Sequence, residues 1–247
     1  ARAAVEARKA AAKPEFADFL KAATPDIVAK SLPQDTPLVD IAFAEGQGHA
    51  ARARLAGKET DLPLAAPTTW QSGPNGAAAV LLDGKAAELA TSGDFEHDQP
   101  FSVSMWVRVP AIDTSYALVA RMDEANAHRG WDVWVQGRRI AMHLVHAWPD
   151  NALKVVANVQ LKPDTWTLVT VSYDGSGKAE GVKIYYDGTL QAKPKIENNK
   201  FKKGTIRAEV PLAIGGRSSG ATAHSVGLAN LAIWGRALSA GEVEGLS

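Results

Sequence analysis

From Leu38 onward the chain adopts a period of two, and this limits its possible folds more than any other feature. Leu38, Asp40 and Ala42 alternate with Val39, Ile41 and Phe43. Successive side chains on a strand point to opposite faces, so this pattern predicts a first strand, closed by Glu45-Gly46-Gln47-Gly48. Similar short runs follow at 80–82, 87–89, 101–109, 117–122, 131–136, 140–146, 154–159, 166–173, 181–186, 212–215 and 228–234. Gly137, Gly175, Gly188 and Gly204 mark tight turns between them, and Asp187-Gly188 reads as a hairpin turn. Many short strands separated by turn signals predict an all-β, two-sheet antiparallel sandwich. Ser239 followed by Glu242 is a capping box, which places a short helical turn after the last strand. Between 49 and 76, Pro63, Pro67 and Pro74 argue against long elements, leaving short strands near 52–55 and 69–70.

The first 31 residues have a different texture. The alanine-rich ARAAVEARKAAAK has high helix propensity, and Pro14 suits the first turn of a second helix. Phe16, Phe19 and Leu20 then fall on one helical face, and Thr24 caps a further short helix. With PQDTP as linker, residues 1–36 read as a short α-helical N-terminal extension and 37–247 as the sandwich domain.

Lys+Arg and Asp+Glu both number 27, so there is no basic excess to point to a nucleic-acid partner. The nearest basic run, Lys193, Lys195, Lys200, Lys202 and Lys203, contains Glu197 and reads as a solvated loop. Absence of cysteine removes disulfides, thiolate metal sites and thiol nucleophiles together. No run of apolar residues is long enough to span a membrane, and no signal peptide is evident. A start at Ala1 rather than Met reads as a piece of a longer protein.

The segments LVDIAFAEGQG, VLLDGK, FSVSMWVRV, TWTLVTVSYDG, VKIYYDGTL, PLAIGG and AIWGRALSAGEV, in this order, resemble the laminin-G-like, concanavalin A-like jelly-roll family. The resemblance covers about Leu38 to Leu246 and implies a jelly roll that usually binds a ligand and only sometimes catalyses. Residues 131–156 and the leading helices are similar to the jelly roll of planctomycete-type secreted proteins that also carry a cytochrome-c-like domain. That resemblance implies an extracytoplasmic setting and flanking domains as partners. No C-x-x-C-H haem motif is present. A structural calcium ion is also common in the family, which places acidic residues in the final strand; here Ala229 and Asn230 stand there. Asn230, with Asp83, is the pair left for calcium, the one cofactor to be expected.

Glycoside hydrolases on this fold need two carboxylates flanking the scissile bond. The runs 101–109, 140–146 and 166–173 contain none, and Asp132 is the only one on 131–136. We therefore expect no enzyme. Asp94, Glu96, His97 and Asp98 read either as a metal-binding loop or as a polar connection. His143 and His146 fall on opposite strand faces unless a bulge intervenes. Trp131 and Trp134 likewise face opposite sides, while Trp106, Trp166 and Trp234 read as core. The turn Trp148-Pro149-Asp150-Asn151 has two readings. An exposed indole with nearby polar groups suits a sugar, whose ring stacks on the indole while its hydroxyls are hydrogen-bonded. Alternatively the Trp covers the sandwich edge and Asp150 and Asn151 form an Asx-turn. The expected function is a non-catalytic module for a carbohydrate or protein ligand, with His146, Trp148, Asp150 and Asn151 as contacts. A docking domain for flanking domains is the alternative.

Overall fold

The structure is a computed structural model that describes residues 13–14 and 32–247. The helices expected at 1–31 lie, apart from those two residues, outside the described residues. The first strands are β1 (Val39–Ile41), β2 (Ala50–Leu55), β3 (Lys58–Pro63), β4 (Thr69–Ser72), β5 (Ala78–Asp83) and β6 (Ala87–Leu89). The middle of the chain forms β7 (Phe101–Arg108), β8 (Ser115–Asp123), β9 (Arg129–Gln136), β10 (Arg139–Ala147), β11 (Asn151–Val156) and β12 (Trp166–Tyr173). Then come β13 (Val182–Tyr186), β14 (Thr189–Leu190), β15 (Lys195–Asn199), β16 (Leu212–Ile214), β17 (His224–Trp234) and the helix α1 (Ala240–Gly245).

Two antiparallel sheets stack as a jelly-roll sandwich. One runs β14-β13-β12-β7-β17-β1-β2-β3, with β5 on β17 and β4 on β5; the other runs β15-β11-β10-β9-β8-β16-β6. The period-two pattern sets which residues lie between them. Phe101, Val103, Met105 and Val107 of β7 face Trp131, Val133 and Val135 of β9 and Ile140, Met142 and Leu144 of β10 in one buried cluster. At one end, Phe95 stacks on Phe101 at 4.4 Å, and Trp131 packs 4.8 Å from Phe101 while donating its indole N–H to Gly93 O.

Because the odd residues of β7 point inward, Trp106 points outward. It is half-buried, as is Trp166, whereas Trp234 is buried on the outer face beneath α1 with Tyr185, Leu238 and Val243. The expectation of a core position therefore holds for Trp234, in a cluster of its own, and not for Trp106 and Trp166. Two edge strands also went unrecognised. The lysine-rich run expected as loop contains β15, and the polar stretch before Pro63 forms β3. Both border solvent and have mostly exposed side chains.

Ser239 caps α1 as expected, in a reciprocal capping box with Glu242. Arg236, just before it, grips Glu242 with its guanidinium and also Asp35, which precedes β1. The first and last strands are neighbours as well, with Val39 opposite Ile233.

Candidate functional site

The alternation that sends Trp131 and Val133 inward sends Asp132 and Trp134 to the outer face of the second sheet. Gly137 and Arg138, both with positive φ, form a two-residue turn that sets the β9–β10 register and places His143 opposite Asp132. The next strand continues the row, with Lys154 opposite His143. On the other side, Ala120 lies opposite Asp132. Ala117 and Ala120 have no side chain beyond Cβ, so Arg217 reaches across β8 from the loop after β16. That loop is tied down by hydrogen bonds from Ala117 N to Ala221 O and from Gly215 N to Leu118 O.

Asp132 is completely buried. Its Oδ1 accepts from His143 Nδ1 at 2.7 Å, and its Oδ2 accepts from Arg217 Nε at 2.9 Å and Nη2 at 2.6 Å. An ionised carboxylate only accepts, so the His143 proton sits on Nδ1, and Nε2 has no partner among the described residues. Arg217 lies over Trp134, its Cζ 4.2 Å from the ring centroid. His143 meets two indoles nearly edge-on, Trp134 at 5.9 Å and Trp148 at 5.5 Å. Above this group is a cavity of about 250 Å³, lined by Trp134, His143, Trp148, Arg217, Gln136 and Lys154 among others, with no Asp or Glu in its wall. Asp132 is buried beneath it, and Glu197 flanks it beside Gln136 and Lys154. Glu197 pairs with Lys154 at 2.9 Å, just as Asp132 pairs with Arg217.

Of the four residues expected to contact a ligand, only Trp148 lines this cavity, and it is 38% exposed. Its turn is held from two sides, by Trp148 N donating to Ala127 O and by Asn198 Nδ2 donating to Pro149 O. The other three residues are placed differently. His146 Nδ1 bonds Thr205 O, Asn151 uses both ends of its amide on Lys202 N and Lys203 O, and the Asp150 carboxylate points into solvent. Missing from the sequence reading were Asp132, His143 and Arg217 as a unit. The two-residue turn at 137–138 was a usable signal for the first pair.

Asp83 and Asn230 do not come together. Asp83 bonds His224 at the start of β17, and Asn230 lies six residues further along that strand, at a register shift. In the 94–98 loop, Glu96 accepts from His97 N and from Ile206 N, so the loop is pinned to the distant chain. Among the described residues, no group of three or more His, Cys, Asp or Glu could hold a metal ion, and no helix is long and apolar enough to cross a membrane.

Burial alone would raise the Asp132 pKa, but the His143 and Arg217 charges and hydrogen bonds prevail and hold it at about 2. Burial is likewise outweighed at Glu197, where Lys154 and Lys195 bring it to about 2. At Glu242 the Arg236 hydrogen bond is the largest influence and gives about 2. Each group is more acidic folded than unfolded. The stability they contribute is complete above the ordinary carboxylate range and disappears as pH falls through the folded values. Urea midpoints should therefore stay level from neutrality to roughly pH 5 and fall steeply between about pH 4 and 2. A level midpoint down to pH 2 would contradict these pairings.

Known proteins agree with this architecture. Residues 82–244 match the model of a family described as the concanavalin A-like lectin/glucanases superfamily. The chain belongs to that superfamily. Among solved structures, the binding domain of Paraclostridial Mosquitocidal Protein 1 superposes with a TM-score of 0.64 at 17% identity, covering 86% of this chain and 52% of that one. The ligand-binding domain of botulinum neurotoxin serotype D, in complex with N-acetylneuraminic acid, gives 0.63 at 12% identity, covering 89% and 52%. The binding domain of serotype G gives 0.59 at 16%, covering 85% and 50%. At these identities the likeness shows the fold, and this superfamily member spans about half the length of each neighbour. No curated protein matches the chain.

Proposed function

We propose that this superfamily member is a non-catalytic binding module of a larger extracytoplasmic protein, and that its ligand is a carbohydrate taken up in the cavity over His143. One observation carries this reading: a part-exposed indole, Trp148, lines a cavity with both aromatic and polar side chains, and its turn is anchored by backbone hydrogen bonds on both sides. An indole face covers the apolar face of a sugar ring, and the surrounding polar groups meet its hydroxyls. Hydrolysis is disfavoured because the cavity wall contains no carboxylate and both oxygens of Asp132 are engaged. The carbohydrate assignment rests on this cavity rather than on the neurotoxin complex.

A glycan array, run with and without calcium, tests the proposal and the calcium expectation together. Trp148→Ala should weaken binding to any confirmed glycan by at least about tenfold, roughly 1.4 kcal/mol, while leaving thermal unfolding nearly unchanged. Unaltered affinity would remove the cavity from consideration. A second reading, a docking domain, is favoured by a groove of about 380 Å³ on the opposite sheet, where Trp106, Leu168, Trp234 and Leu246 converge. An array with no reproducible binding would shift the balance to it.

A further inference from the structure

We propose that the cavity over His143 selects an acidic sugar, one carrying a carboxylate or sulfate, and holds that group between Arg217 and Lys154. The inference rests on the carbohydrate reading and narrows it. Arg217 contacts Asp132 and Lys154 stands opposite His143, so the Asp132–His143–Lys154 register sets the two cationic side chains on either side of the imidazole. Their partner carboxylates do not line the cavity: Asp132 is fully buried, and Glu197 flanks Lys154 and Gln136. Among the described residues, Nη1 of Arg217 makes no hydrogen bond, only a loose ion pair with Glu124 at 3.8 Å. The indole N–H groups of Trp134 and Trp148 have no hydrogen-bond partner among the described residues. The wall therefore presents more donors than free acceptors: Gln136 Oε1 already accepts from Lys154 Nζ, and His143 Nε2 is a neutral acceptor. A neutral sugar hydroxyl both donates and accepts, and its proton would meet no carboxylate here. An oxyanion only accepts, which matches what the wall presents.

The test compares matched pairs by titration calorimetry on the whole chain: trigalacturonate against its methyl ester, sialyllactose against lactose, and sulfated against unsulfated N-acetyllactosamine. The acidic member of at least one pair should bind about tenfold or more tightly than its neutral partner, with the difference shrinking at high ionic strength. Lys154→Gln should lower the affinity for that acid by a larger factor than the affinity for its neutral partner. Arg217 is not used for this comparison because its loss endangers the fold. Neutral members binding as well as or better than acidic ones, or Lys154→Gln weakening both alike, would overturn the acidic-sugar proposal while leaving the carbohydrate reading standing. Failure of all six probes together with a blank glycan array would overturn both.

Discussion

Arg217→Met should destabilise the protein by about 3–5 kcal/mol, because it leaves the Asp132 carboxylate buried with a single partner. No solvent reaches Asp132 to replace the two hydrogen bonds the guanidinium donates. The arginine contributes more than charge: its guanidinium lies over the Trp134 ring. Paired replacement separates these effects. Asp132→Leu combined with Arg217→Met removes both charges and should recover most of the loss, since a hydrophobic substitute for a buried ion pair is often neutral. Equilibrium urea unfolding of the wild type, the two single variants and the double variant provides the cycle. If Arg217→Met costs less than about 1 kcal/mol, Asp132 is not held as described.

Trp131→Ala should be comparably severe, at about 3–5 kcal/mol, and should lower the yield of folded protein. The indole is 1% exposed, packs against Phe95 and Phe101, and its N–H bonds Gly93 O. Removal empties the end of the sandwich and leaves that carbonyl with the Phe95 N–H as its remaining donor. Trp134→Ala, only three positions along the same strand, should cost far less, because its side chain is half-buried on the outer face. Urea or thermal unfolding of the two variants side by side checks the contrast. Equal losses would mean that the alternation along β9 does not set their environments.

These paired residues show what the chain reveals before folding. A strand has a period of two, so the opposite fates of Trp131 and Trp134 could be read directly, as could most interior strands and the Ser239 cap. The reading failed where sequence context is ambiguous. Lys195–Asn199 is a polar edge strand, and nothing in KIENN distinguishes it from a loop until Lys154, Val155 and their neighbours accept its backbone. Trp106 and Trp166 sit within apolar strands, which pointed to the core, but register turns both to the outer face. At the site, Asp132 and His143 are linked by simple counting across a two-residue turn. Arg217, by contrast, is 85 residues from its carboxylate, and no local pattern announces that contact. His146, Asp150 and Asn151 are near Trp148 in sequence, but the turn points them elsewhere.

The grip of Arg236 on both Asp35 and Glu242, together with the pairing of β1 and β17, has a mechanical consequence. The sandwich is fastened where its own chain begins and finishes, like a purse closed by one clasp. That clasp belongs to the sheet containing β1 and β17, whereas the His143 cavity opens from the other sheet. Tension arriving through neighbouring segments would act on the clasp first, at a distance from the cavity.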